Sequence, residues 1–505
     1  MNITGTKRYT VAAMCGAAGI VMGAAIANGS SVVIGGLLII PIVAALQRWC
    51  QAGAIGFLLS GLLAGNIVGN RGFAQILLSD RIPLLPAEAA LALGGAWLIF
   101  EGSRRQRLPW PATALGCSVL CWFALCSLRM PMDLRSHGFW AVRDFATVYY
   151  SGFFFITARA ARIAPVRSWL HGTFAGAVVA LAVIFPFYQR FEFEFLTSFT
   201  FRGGPLIAIK GDLAGTFAAA GAMYAAVMLN GARNRIAWSL ALLTSLGLAI
   251  YLVPRAAYVG VLVAVIFFMR GSRINVVKGL TLIVAAGLAS ALVYSVTSNG
   301  SWRDTRLNDV YEHVISLTDF SGSRVYTGEE SQDTGDNTRF RLAWWHLLIE
   351  RTLAQNPFFG AGFGADISSE FSKDYFGITV SDFTARSPHN ILLTVFGRSG
   401  FVGLVPFLAI IAALCLEARR AASRAPLSHE ELKTSALYPA VIVILVSSCF
   451  GVVLEGPMGA VVFWTLAGLA HGSSAPDLID HGPTAMKSAE THDPSLQTES
   501  EPAIR

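Results

Sequence analysis

Apolar runs of 16 to 22 residues recur along most of the chain, separated by short polar or arginine-bearing connections. A helix needs about 20 apolar residues to cross a bilayer. The pattern therefore predicts spans over 9–27, 31–46, 51–69, 86–100, 111–128, 139–158, 169–187, 212–229, 236–252, 256–269, 276–296, 390–417, 436–453 and 457–471. Two pairs are joined by only a few residues, "YLVPRAAYV" (251–259) and "VLEGPMG" (453–459). Each is a tight hairpin or a broken helix, so the pattern fits about 12 to 14 full spans. Residues 9–27 lack a small-residue cleavage site and are followed by many similar segments, so they read as the first span. The fold class is all-α, a polytopic integral membrane protein with one large outer loop.

Composition agrees. The chain has 505 residues, 54% hydrophobic and only 14% charged, against about 25% charged in soluble domains. Orientation follows from arginine. With Lys7 and Arg8 in the cytoplasm, alternate connections are "EGSRRQRLPW" (101–110), "RAARIAPVRS" (159–168), "NGARNR" (230–235), "RGSRIN" (270–275) and "EARRAASRAPLSHEELK" (417–433). All are short and Arg-rich, as inner loops are. The chain then divides into a transmembrane region (1–296), an outer loop with an amphipathic helix (297–389), C-terminal spans (390–472) and a disordered cytoplasmic tail (473–505). The net charge of +7 belongs to this topology and to membrane lipids as partners, with no nucleic acid implied. Cys117, Cys121 and Cys126 share one apolar span and read as small hydrophobes, so no metal or redox site is expected.

The outer face opposes its own charge bias. "FTFRGGPLIAIKGDLAG" puts Arg202, Lys210 and Asp212 just before a span, and "VPRAAYVG" puts Arg255 at a helix start. Arginine there works against the macrodipole unless an anion joins it. Orphan N–H groups and a guanidinium fork then converge on phosphate oxygens. The alternative is snorkelling to lipid headgroups. In "TARSPHNILLTVFGRSGFVGLVPF" (384–407), Ser387 suits an N-cap and Pro388 the first helical position. His389 then falls in the first turn, where the dipole keeps it neutral, as a general base must be. Arg398 lies about 13 Å deeper on roughly the opposite face. Asp144, Asp212 and Glu455 are its candidate partners, and Gly397 and Gly400 are candidate bends. In the outer loop, "DNTRFRLAWWHLLIERTLAQNPFFGAGFG" (336–364) predicts an amphipathic helix ended by Pro357 and glycines. The acidic stretch 327–336 reads as a solvated loop.

These stretches together resemble the bacterial O-antigen ligase and O-antigen polymerase superfamily of integral membrane glycosyltransferases. The resemblance rests on "FRGGPLIAIKGDLAG", on "PRAAYVG", and on a long loop holding "NTRFRLAWWHLL...NPFFGAGFG" and closing with "SPHNILLTVFGRSGFVGL", the most specific stretch. It covers about residues 199–410. It implies a GT-C-like fold in the bacterial inner membrane with a periplasmic site. It implies a glycan donor linked to undecaprenyl diphosphate, and inverting, metal-independent transfer without a cofactor. A ligase acceptor is lipid A core; a polymerase acceptor is another lipid-linked repeat. By the same resemblance Arg202 and Arg255 bind the diphosphate and His389 engages the acceptor hydroxyl. Lys210, Asp212, Arg341, Asn390 and Arg398 support them. Arg398 stands where many ligases have an acidic residue, and Arg386-Ser387-Pro388 stands where they often have a second histidine; both departures weaken the ligase reading relative to a polymerase and leave the two nearly even. A transporter is the competing class. It would show paired halves with interrupted helices at matching places.

Overall fold

The computed structural model describes residues 53–78, 84–105, 113–190, 200–201, 204–231, 234–252, 254–269, 329–367, 386–423 and 428–474. The expected spans 9–27, 31–46 and 276–296, most of the outer loop and the tail lie outside the described residues. The rest is almost entirely helical: α1 (Gly53–Val68), α2 (Asn70–Ala74), α3 (Pro86–Arg105), α4 (Ala114–His137), α5 (Phe139–Asp144), α6 (Ala146–Tyr149), α7 (Gly152–Ala160), α8 (Ala164–Arg190), α9 (Gly211–Met228), α10 (Arg235–Leu252), α11 (Arg255–Met269), α12 (Glu329–Gln355), α13 (Ile391–Ser423), α14 (His429–Ser448) and α15 (Pro457–Ser473). Among the described residues the sheet is a two-residue antiparallel pair, β1 (Thr200–Phe201) with β2 (Gly204–Pro205). Among them too, α4, α8, α10, α13 and α14 are long and apolar enough to cross a membrane, and α1 and α11 are shorter apolar helices. The chain is a multi-pass, all-α membrane protein.

Helix α14 forms the centre. Its start is a capping box: the Ser428 hydroxyl accepts from Glu431 N, and the Glu431 carboxylate accepts from Ser428 N. Its apolar length is buried against α9, α11 and α15. Helix α15 lies on α7 through Gly468 and Gly472. A Cβ at these positions would come within 2.5 Å of Phe154 O and 2.2 Å of Ala158 O. Small residues four apart are what close helix contact requires without a hydrophobic drive. Helix α13 packs along α4, where the Trp122 ring lies tilted against Phe407 at 5.0 Å and against Trp464 of α15 at 6.1 Å.

The expected span 139–158 is three pieces, α5, α6 and α7. Its joints are 3₁₀ turns, in which Val148 N donates to Phe145 O and Phe153 N to Tyr150 O. The acidic stretch expected as a loop is helical from Glu329. Helix α12 ends at Gln355 before Pro357, as the sequence predicts.

The expected bend in the last long span is a full break. Gly400 takes φ 57 and ψ −153 inside α13. The segment Asn356–Gly364 fills the gap with backbone bonds: Ala361 N to Gly397 O (2.8 Å), Gly362 N to Arg398 O (2.9 Å), Phe401 N to Pro357 O (2.9 Å) and Val402 N to Phe358 O (3.0 Å). Asp133 at the end of α4 accepts from Phe363 N at 2.9 Å, and Arg129 donates to the carbonyls of Phe359 and Gly360. "NPFFGAGFG" thus seals a broken transmembrane helix.

Side-chain contacts join helix ends that the arginine rule puts on the same side. At the predicted inner ends, His471 meets Glu417 (2.9 Å) and Thr113 (3.3 Å), and Arg167 meets Glu430 (3.8 Å). At the predicted outer ends, Arg341 meets Phe450 O and Asp133 meets the sealing loop.

Gly400→Ala puts a Cβ 2.4 Å from Phe358 C and forces an L side chain into the left-handed region. It should destabilise the protein by about 2 kcal/mol or more. Gly397→Ala meets only the flexible end of Leu348 at 3.1 Å and should be the milder change. Thermal unfolding of the two variants in detergent checks the order.

Candidate functional site

Asp144, the last residue of α5, gathers the groups around it. Its Oδ2 accepts from Arg398 Nη1 (2.5 Å), Arg386 Nη2 (3.0 Å) and Gly364 N (3.0 Å). Arg398 Nη2 donates to Arg386 O (2.9 Å), and Arg386 Nη2 to Gly364 O (2.7 Å). Both partners of the central pair are buried, with side chains 4% and 8% exposed. Of the three carboxylates considered for Arg398, Asp144 is the one in contact. Glu455 lies within electrostatic range and accepts instead from Thr394 Oγ1 (2.9 Å). Burial raises the Glu455 carboxyl above the usual range, while hydrogen bonds from Ser387 and Thr394 pull it back.

The lead-in to α13 differs from the expected helix start. Asn390 is the cap, its Oδ1 accepting from Leu392 N (3.0 Å) and Leu393 N (3.3 Å). Asn390 therefore serves the helix backbone. Ser387 Oγ accepts from His389 N (3.0 Å), closing a turn before the helix. His389 thus stands outside α13 and carries a left-handed φ of 56, the one positive φ of a described non-glycine residue. A β-carbon in that region costs about 1–2 kcal/mol. The turn is held by Trp345 Nε1 on Pro388 O (2.7 Å) and by Trp344, edge-on to the imidazole at 6.3 Å. Because His389 is off the helix, helical spacing does not set its position relative to Arg398. They line one cavity of about 230 Å³ with Arg143, Asp144, Thr147, Arg386, Ser387, Val452 and Glu455.

Lys210, Asp212 and Arg341 come within electrostatic range of His389, and Arg255 within that of Arg341. Burial pushes the pKa of His389 down to about 4, helped by the Arg341 and Lys210 charges and opposed by Asp212. It is neutral at pH 7, the state expected from the sequence, but by burial and neighbouring cations rather than by a helix dipole. Arg255 opens α11 within electrostatic range of Arg341. Burial lowers Arg341, and Asp212 draws it back. Lys210 pairs with Asp212 at 3.1 Å, and its backbone N donates to Asn70 Oδ1 at 2.7 Å. Asn70 is fully buried and sets where α9 begins. Arg202 lies outside the described residues.

Sequence reasoning missed Arg386, Arg143, Asn70 and the role of Glu455. Arg386 carried a signal: it stands beside the His-Asn pair, three residues from His389. Asn70 had none, since its partner is a backbone 140 positions away.

His389→Gly should unfold at a higher temperature than His389→Ala, because glycine relieves the left-handed strain and alanine keeps it. Equal unfolding temperatures would remove the strain from this account. Asp144→Asn should lose about 3–5 kcal/mol, the usual effect of leaving a buried charge unpaired. Adding Arg398→Gln to it should recover part of that loss, and denaturation of single and double variants reads both.

Residues 240–408 match the family described as O-antigen ligase, while none of the curated proteins compared with the chain matches it. The matched stretch holds α11 with Arg255, Arg341 of α12, the sealing loop, the His389 turn and the break at Gly400. That match covers about a third of the chain, and over it this membrane protein is similar to the O-antigen ligase family.

Proposed function

We propose that the protein moves a glycan from a polyprenyl diphosphate, of the undecaprenyl type, to an acceptor sugar hydroxyl at the periplasmic face of the bacterial inner membrane. The observation that carries this reading is a neutral His389 at the mouth of an apolar helix with the charges of Arg341 and Lys210 acting on it, and with Arg255 within electrostatic range of Arg341. The family match supports glycosyltransfer in polysaccharide assembly.

The chemistry follows from those groups. The acceptor oxygen attacks the anomeric carbon, its proton passes to His389, and the glycosyl–diphosphate bond breaks on the opposite side with inversion. Fixed guanidinium groups take the charge that grows on the leaving diphosphate. A pKa of about 4 makes free His389 a weak base. A bound diphosphate reverses the sign of the local field and strengthens it. Base strength thus rises when the donor is in place. Arg202 is proposed to complete the diphosphate site.

Ligation to lipid A core is the first reading. Polymerisation of lipid-linked repeats is the second, favoured by Arg398 and Arg386 standing where many ligases carry other residues. Product length separates them: one preformed chain on lipid A core, or a ladder.

His389→Ala should bind donor normally and lose transfer by roughly 10²–10⁴-fold. Arg255→Lys should weaken donor binding far beyond a conservative change, because lysine offers no planar fork. For wild type, kcat/KM should not fall on account of this histidine until pH approaches 4, since it stays deprotonated above that value. Incubation of purified variants with a polyprenyl-diphosphate-linked glycan and acceptor checks all three. Fully active His389→Ala and Arg255→Lys would leave these residues as structural and lipid-facing groups.

A further inference from the structure

The cavity beside His389 carries cationic hydrogen-bonding capacity that the proposed donor site does not use. Its lining and the cationic set on the histidine share only His389. Among the described lining residues, Arg143, Arg386 and Arg398 face Asp144 and Glu455. Arg398 is committed to Asp144 and to Arg386 O. Arg386 gives Nη2 to Asp144 and to two carbonyls, and its Nε has no hydrogen-bond partner. Glu455 is held by Thr394, within α13. Arg143 has no ion pair among the described residues; its guanidinium lies 4.9 Å from the Trp140 ring centroid.

Trp140 also holds Arg386, at 4.5 Å. One indole therefore keeps two guanidinium groups together at the rim of the cavity. The negative face of the ring eases their repulsion but does not cancel it. Asp144 is already shared between Arg386 and Arg398. The pair is left as a fork of donors with surplus positive charge, next to the base that would receive an acceptor proton. A neutral sugar offers hydroxyls to such a fork but no charge; a carboxylate offers both.

We propose that this cavity is the acceptor subsite and that it selects a sugar bearing a carboxylate, which Arg143 and Arg386 bind while the neighbouring hydroxyl is presented to His389. The proposal rests on the reading of His389 as general base, and it adds the chemical class of the acceptor. Arg143 and Arg386 act here as specificity determinants; the transferred groups and proton are those already described.

The test is direct binding to the detergent-purified full chain, which needs no turnover. The probes are a disaccharide ending in glucuronic acid, its neutral glucose counterpart, and inorganic diphosphate. Wild type should bind the acidic disaccharide about tenfold more tightly than the neutral one, the effect of one charge-assisted contact. Arg143→Gln should bring the two affinities together at unchanged unfolding temperature, and Arg143→Lys should restore part of the preference. Equal affinities in wild type overturn the proposal, as does a preference that survives Arg143→Gln. Inorganic diphosphate should leave the acidic disaccharide bound. Displacement by diphosphate, with Arg143→Gln weakening diphosphate itself, would instead make the cavity a leaving-group site and overturn the proposal. If wild type prefers the acidic disaccharide yet transfers nothing from a polyprenyl-diphosphate donor, the subsite stands and the donor reading fails.

Discussion

An interrupted helix inside a membrane has one problem to solve before any other. Its freed backbone groups find no water, so protein must pair them. At Gly400 the pairing comes from Asn356–Gly364, through four backbone bonds across the break. The site depends on this seal. Gly362 N holds the carbonyl of Arg398, and Gly364 N holds Asp144, so the loop fixes both members of the central ion pair. Arg398 in turn holds the carbonyl of Arg386 and, with it, the turn that presents His389. A glycine-rich segment is thus the frame of the site.

Charge is arranged around that frame in two groups. One is centred on a carboxylate: the buried Asp144 accepts from Arg386, Arg398 and Gly364 N. The other bears on the histidine: Arg341 and Lys210 act on His389 with Asp212 in partial relief, and Arg255 stands within electrostatic range of Arg341. The first group gives position and the second gives field. A buried pair is a poor source of stability but a good way to fix geometry. A largely cationic set suits a ligand that brings its own negative charge.

The fold class was legible because hydropathy at the 20-residue scale reports burial in lipid directly. The outer residues Lys210, Arg255 and His389 stood out because they oppose a charge rule or interrupt an apolar pattern, whereas Arg341 came from the family resemblance. Their grouping agrees with the stretches that carry the family resemblance. The helix start at 391 was not legible. Ser387 and Asn390 are both good caps, and only tertiary packing of Trp344 and Trp345 on the turn decides between them. The choice of Asp144 for Arg398 was equally hidden, since the two are 254 positions apart. Bends at Gly397 and Gly400 could be named in advance, but a sealing loop is a long-range backbone contact and leaves no side-chain pattern to read.

The order of these segments along the chain has a bearing on how the protein is made. Asn356–Gly364 precedes α13, so it leaves the ribosome before the break at Gly400 does. Synthesis runs from the N-terminus, and domains assemble in that direction. When α13 reaches the translocon, the carbonyls and amides that will close its gap have already been synthesised, as has Asp133, which anchors the loop to α4. The interruption is inserted into a membrane that already contains its complement.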